Sequence, residues 1–365
     1  MGSPRSVRVA ARVLVAAVAA TLLVSCGHHD SGPVLRVGAG NSDQADLIAE
    51  IYAGALARTG ARTAVVAHLG QRPDYLAALD ADTVVLVGED SGDLLTTFDP
   101  NSPARLPDRT AAATAPGTST ATAPRPAPVV PTEGAPAPAG PSGQQAPVPA
   151  GQGTPAPAEH GPGTTEAPDV ADALSRALPQ GLSISDIADG TDLRPAVVTR
   201  TADGNPGALP DLAPHCAELT AGIATGAELD PLRPVPDPQR DVIDPLRTVY
   251  GCDISHATVY PSDTELRKAL QDGQIQLGVL TAPAALLPGG ADGLTSVADP
   301  RYAFRARNVL PLFRTGALTP TQIKKLNYVA GELTTADLID MVHRIRDDHA
   351  SAATLARAWL DEHAL

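Results

Sequence analysis

The sequence predicts an α/β fold, and three observations carry that expectation. Residues 35 to 87 read as strand, helix, strand, helix, strand. Within them, Leu47, Ile48, Ile51, Tyr52, Ala55 and Leu56 share one face at helical spacing. Thr83 to Val87 is a compact β-branched run of the kind buried in a parallel sheet. At 365 residues the chain is long enough for two lobes, each with its own core.

The N-terminus sets the compartment. Arg5, Arg8 and Arg12 form a basic region, Val13 to Val24 is an apolar run too short to span a bilayer comfortably, and Leu23-Val24-Ser25 precedes Cys26. That ending resembles a bacterial lipobox, which implies removal of residues 1–25 and lipidation of Cys26. Residues 26–33 then form a tether on the extracytoplasmic face of the cell membrane; the plainer alternative is an ordinary signal peptide that ends near a cysteine. His28, His29 and Asp30 on that tether lack a second cluster and read as solvated residues rather than a metal site. The remaining cysteines, Cys216 and Cys252, are an even number in an oxidising compartment, as a disulfide or as two buried thiols. A formal charge of −14 disfavours nucleic acid and anionic membrane surfaces as partners.

In chain order, Leu35, Val37 and Gly38 read as a short buried strand, Ser42 or Asp43 caps the helix that follows, and Gly60 ends it. A second strand is expected at Thr63 to His68, a turn and helix from Leu69 to Leu79, and a third strand at 83–87 that stops at Gly88-Glu89-Asp90-Ser91-Gly92. Ligands in open α/β sheets bind beyond the carboxyl ends of the strands, which selects the loops Asn41 to Gln44 and Gly88 to Asp93. The same Asn41, Ser42 and Gln44 could serve only to cap a helix.

From 101 to 168 the composition changes. Sixteen of the 36 prolines lie there among Ala, Thr and Gly, with hardly a large apolar residue, so the expectation is a disordered insertion that cannot offset its chain entropy by burial. Order is expected again with a helix at Val170 to Leu178, strands at 183–185, 196–199 and 219–224, and a short helix or turn at Leu212 to Cys216. A surface loop at Pro231 to Pro238 and a helix at Asp241 to Tyr250 follow, then a helix capped by Ser262 with Glu265 at the capping-box position. Strands at Ile275 to Leu280 and Val309 to Phe313 lead to helices at 320–326, 335–346 and 352–360, whose Leu338, Met341, Val342, Ile345, Leu355 and Trp359 are candidate core.

Read in this order, Val37-Gly38 with Asn41 and Gln44, Ile48 to Ala53, Tyr75 to Leu79, Asp211 to His215, Tyr250-Gly251, Ala269 to Gly273 and Ala356 to Leu360 resemble the substrate-binding proteins of ABC importers for glycine betaine, choline, carnitine and related osmoprotectants. The resemblance implies a two-lobed periplasmic-binding-protein-like (type II) fold with a central cleft. One lobe would come from 34–100, 169–192 and the helices of 299–365, and the other from 193–298. The chain would cross between them near Asp189 to Arg194 and Asp299 to Asn308. It also implies a small polar solute, ABC permease partners, a monomer, no cofactor and no chemistry on the ligand. No nucleophile elbow, phosphate loop or zinc-binding histidine pair argues for an enzyme.

This chain departs from the relatives where they bind. It has Ser42 where many have Phe, Gly88-Glu89-Asp90 where a Pro-Glu-Tyr segment is typical, and Arg305 and Arg307 where Pro and Tyr are common. Aromatic residues are 3%, which leaves Tyr75, Tyr260 and Tyr302 to form a cage for a quaternary ammonium group. The candidate site is therefore Asn41, Ser42, Gln44, Glu89, Asp90, Thr281 and Arg307. In it Arg307, joined by Arg240, would meet a carboxylate or other anion, and Asp90 or Glu89 an amine. The alternatives are that Arg307 and Asp90 are solvated charges and Thr281 satisfies its own turn, the protein then being an accessory lipoprotein of the envelope without a transported ligand.

Overall fold

A computed structural model describes residues 32–107, 168–204, 206–226 and 235–365. The expected leader with Cys26, the expected tether up to residue 31, residues 108–167 of the proline-rich segment, residue 205 and residues 227–234 of the following loop lie outside the described residues.

The chain builds most of one sheet, leaves to build a second, and returns to complete the first. The outward path runs β1 (Leu35–Gly38), α1 (Asp43–Ala57), β2 (Thr63–Val66), α2 (Arg72–Asp80), β3 (Leu86–Asp90), α3 (Ser91–Phe98), α4 (Val170–Ala177) and β4 (Leu182–Ile184). The second unit is β5 (Ala196–Arg200), α5 (Leu209–Leu212), β6 (Thr220–Ala224), α6 (Asp244–Tyr250), β7 (His256–Tyr260), α7 (Asp263–Gln271), β8 (Leu277–Leu280) and β9 (Leu294–Val297). The return adds β10 (Val309–Arg314), α8 (Pro320–Glu332), α9 (Thr335–Arg346) and α10 (Ala352–Glu362).

The sheet orders are β2-β1-β3-β10-β4 and β7-β6-β8-β5-β9, one the topological echo of the other. In each, three parallel strands are extended by an antiparallel strand that has just crossed over from the other lobe: β10 beside β3, and β5 beside β8. This is a two-lobed α/β fold of the type II binding-protein kind, as the resemblance implies.

Each sheet is covered on both faces. In the first lobe α1 buries Leu47, Ile51, Tyr52 and Leu56 against Trp359 and Leu360 of α10, while Leu79, Leu94 and Leu174 cover the opposite face. In the second, Leu209, Leu246, Cys216 and Cys252 form one core and Leu266 and Leu270 of α7 the other. Cys216 and Cys252 form a disulfide, with Cα atoms 5.2 Å apart.

Three expectations are corrected. The third strand runs from Leu86 to Asp90 rather than 83–87. Thr83 and Val84 close the end of α2 by donating to Ala78 O, and Gly88 continues the strand because α1 seats on it. A Cβ at Gly88 would lie 2.3 Å from Ile48 Cγ2, so the glycine is there for packing, not for a turn. The helix expected at 241–250 begins as a wide π turn at Gln239–Ile243 and is α-helical only from Asp244, since Pro245 has no N–H to donate. Residues 101–107 and Pro168 are held against the lobe rather than disordered: Ala104 is buried, Leu106 pairs with Asp169, and the exposed Pro168 accepts from Arg105 N through its carbonyl.

Candidate functional site

The first crossing lies against the second. Leu193 N donates to Arg307 O at 2.8 Å, Val309 N donates to Thr191 Oγ1 at 2.8 Å, and the Asn308 amide bonds to Thr191 O. The start of α3 is tied to the same place, because Ser91 N donates to Asn308 O and Asn308 N to Ser91 Oγ. Gly92 permits this approach, since a Cβ there would stand 2.5 Å from Ala306 O.

At this junction the carboxyl end of β3 presents two carboxylates to two different arginines. Asp90 caps α3 through Asp93 N and receives Arg307, whose Nε is 3.3 Å from Oδ1 and whose terminal nitrogen is 3.1 Å from Oδ2. The same nitrogen lies 3.1 Å from Asp93 Oδ2. Arg307 is 8% exposed; burial pushes its pKa down and Asp90 pushes it back. Glu89 is 6% exposed and takes a two-pronged bond from Arg72, 2.8 Å on each oxygen, with Tyr75 OH donating at 2.6 Å. Burial opposes the charge on Arg72, but the Glu89 carboxylate more than compensates and raises its pKa. Burial first, then the same carboxylate, holds the Tyr75 hydroxyl above its ordinary range.

Glu89, Asp90 and Arg307 are thus brought together, yet as protein ion pairs. Asp90 and Arg307, expected to meet different ends of a ligand, meet each other. In the loop after β1, Asn41 Oδ1 accepts from Gly70 N at 3.1 Å, Ser42 caps α1 through Ala45 N at 3.1 Å, and Gln44 is half-buried on the first turn. Thr281, at the end of β8 in the other lobe, uses both its N–H and hydroxyl on Asp263, at 2.8 and 2.6 Å, and so anchors the start of α7. Arg240 is exposed and pairs with its neighbour Asp241.

The three candidate cage rings are engaged too. Tyr75 is committed to Glu89, Tyr260 packs over Gly222, and the face of Tyr302 is covered by Arg194, 4.0 Å from the ring centroid. Arg194 also pairs with Asp192 and Asp299, so it joins the two crossings.

Sequence reasoning missed Arg72, Asp263 and Arg194, and placed Asp93 only as the end of a candidate loop. For Arg72 a signal was present: it precedes Tyr75 by three on a helix, a spacing that aims both side chains one way. The others are defined by contacts far apart in sequence. Among the described residues no three His, Cys, Asp or Glu side chains gather as a metal site, and no helix is long and apolar enough to cross a membrane.

Residues 233–362 match the family model for the substrate binding domain of ABC-type glycine betaine transport systems. No curated protein matches the chain in sequence. The fold is similar to that of a glycine betaine/carnitine/choline ABC transporter crystal structure, at TM-score 0.60 and 13% identity over 92% of this chain and 99% of that one. It is similar also to apo YehZ from Escherichia coli, at TM-score 0.59 and 15% identity over 91% of this chain and 99% of that one.

Proposed function

Starting from a chain with the fold and the partial sequence signature of the glycine betaine-type substrate-binding proteins, we propose that it is the extracytoplasmic, lipid-anchored solute-binding component of an ABC importer. In this reading a small polar solute sits between the lobes at the carboxyl ends of β1, β3 and β8, near Asn41, Ser42, Gln44, Glu89, Asp90, Thr281 and Arg307. Cys26 carries the lipid, the protein acts as a monomer, and its partners are permease subunits. No bond of the solute is made or broken. The ligand's higher affinity for one arrangement of the lobes shifts the population, and the permease reads that arrangement.

The observation that carries the reading is the pair of largely buried carboxylate–guanidinium clusters where the end of β3 meets the second crossing. Charged groups held by buried partners are preorganised to exchange one of those partners for a polar solute. They also favour a solute with its own charges over one recognised by ring faces, since Tyr302 is covered and Tyr75 is tied to Glu89.

A thermal-shift screen of the chain from Gly27 onward tests this, with betaines, choline, carnitine, amino acids and small anions as probes. A true ligand at a hundred times its dissociation constant stabilises by about 2.7 kcal/mol. Such a shift, weakened in Asp90→Asn, supports the assignment. Silence across the panel from folded protein favours the accessory lipoprotein role.

A further inference from the structure

The two ends of the proline-rich segment leave the first lobe side by side. Leu106 forms a parallel bridge with Asp169, Val170 N donates to Leu106 O at 2.9 Å, and Arg105 N donates to Pro168 O at 3.1 Å. Residues 99–106 and 168–170 are therefore a neck through which any load on the intervening chain passes.

That neck is fastened to the second crossing. Arg305 spreads its guanidinium over three acceptors: Nε reaches Ala104 O at 2.8 Å, and the terminal nitrogens reach Thr96 Oγ1 at 2.7 Å and Ser102 O at 2.5 Å. One residue on, Ala306 N donates to Arg105 O at 2.8 Å. Burial pushes the Arg305 pKa down, and the carboxylate of Asp99, at the start of the neck, opposes that shift. Neck and crossing meet at this one side chain. A planar, always-charged fork with five donors suits such a junction, because a fixed geometry can hold several backbone oxygens at once.

We propose that the neck is a brace on the hinge, and that Arg305 is the positioning residue through which the base of the insertion sets the disposition of the two lobes. This rests on the two-lobed fold and not on the identity of any ligand, so it stands or falls separately from the proposed transport role.

The test is the interlobe distance distribution of the full chain, labelled at Lys324→Cys on α8 and Thr258→Cys on β7 and read by pulsed electron resonance. Arg305→Ala should broaden the distribution, and Arg305→Lys should restore part of the narrow one. Arg344→Ala, an exposed change on α9, should leave it as in the wild type. A merely stabilising role for Arg305 would lower the melting temperature without altering the distances. A folded Arg305→Ala protein whose distribution superimposes on the wild type overturns the proposal. Should that variant not fold, Thr96→Val removes a single partner and hydrogen exchange at the Ala306 amide decides: faster exchange supports the brace, and unchanged exchange overturns it.

Discussion

The guanidinium of Arg194 lies over the ring of Tyr302, 4.0 Å from its centroid, and ties the first crossing to the second. Tyr302 holds a left-handed backbone, φ 53°, that a tyrosine adopts only under constraint. Asp299 supplies much of that constraint by accepting from Ala303 N at 2.9 Å, Phe304 N at 3.1 Å and Tyr250 OH at 2.5 Å.

Two substitutions at Tyr302 separate ring from backbone. Tyr302→Ala loses the cation–π contact, a cost of about 0.5–2 kcal/mol, and keeps the left-handed strain. Tyr302→Gly loses the ring and relieves the backbone, so urea unfolding should find it the more stable of the two by about 1 kcal/mol.

In the Arg72–Glu89 pair the carboxylate is buried and the guanidinium side chain only 14% exposed, and breaking it should be costly. Glu89→Ala strands the Arg72 charge and should destabilise by about 3–5 kcal/mol in chemical denaturation. Arg72→Met combined with Glu89→Leu removes both charges and should recover most of that loss. A double variant no better than Glu89→Ala would mean that the pair is held by something other than mutual neutralisation.

Stability should fall at high pH. Tyr75 and Tyr250 are both raised above the ordinary tyrosine value, first by burial and then through Glu89 and Asp299 respectively. The folded state therefore holds protons that the unfolded chain releases. Their contribution is complete below about pH 10, the unfolded value, and is lost as pH climbs from there through the folded values. Urea midpoints between pH 8 and pH 11 should show the decline, and Tyr75→Phe should flatten part of it.

The disulfide closes a sequence separation of 36, and both cysteines are fully buried. Its loss, as in Cys216→Ser with Cys252→Ser, should cost about 4 kcal/mol by loop-closure entropy. In the wild type, reductant should leave the bond intact until the second lobe unfolds, which a thiol-reactive dye added during a melt would time.

Elements with one buried face were legible in the sequence. The stripe of α1 and the apolar positions of α8 to α10 occur at helical spacing, and the start of α9 is as expected, with Thr334 and Asp337 capping each other. The strands β7 and β9 were not read. β7 is an edge strand whose His256, Ala257, Thr258 and Val259 are all exposed, so it has no alternation to betray it, and β9 is four residues long. The site was half legible. Topology pointed to Glu89 and Asp90, and the departures from the relatives to Arg307, but which arginine meets which carboxylate, across 17 and 217 residues, is chosen by packing rather than by any local pattern.

The place of β10 between β3 and β4 bears on how the chain folds as it emerges. The strands of the second sheet all lie between Ala196 and Val297, so that lobe can assemble from one continuous stretch. The first cannot: β4 pairs with β10 alone, and α1 waits for α10 to cover it. The earlier-made lobe is thus the later to finish, its strands exposed until the last sixth of the polypeptide arrives. That long-range closure is the slow step expected of such a topology, and the interval in which an unfinished sheet edge is open to wrong partners.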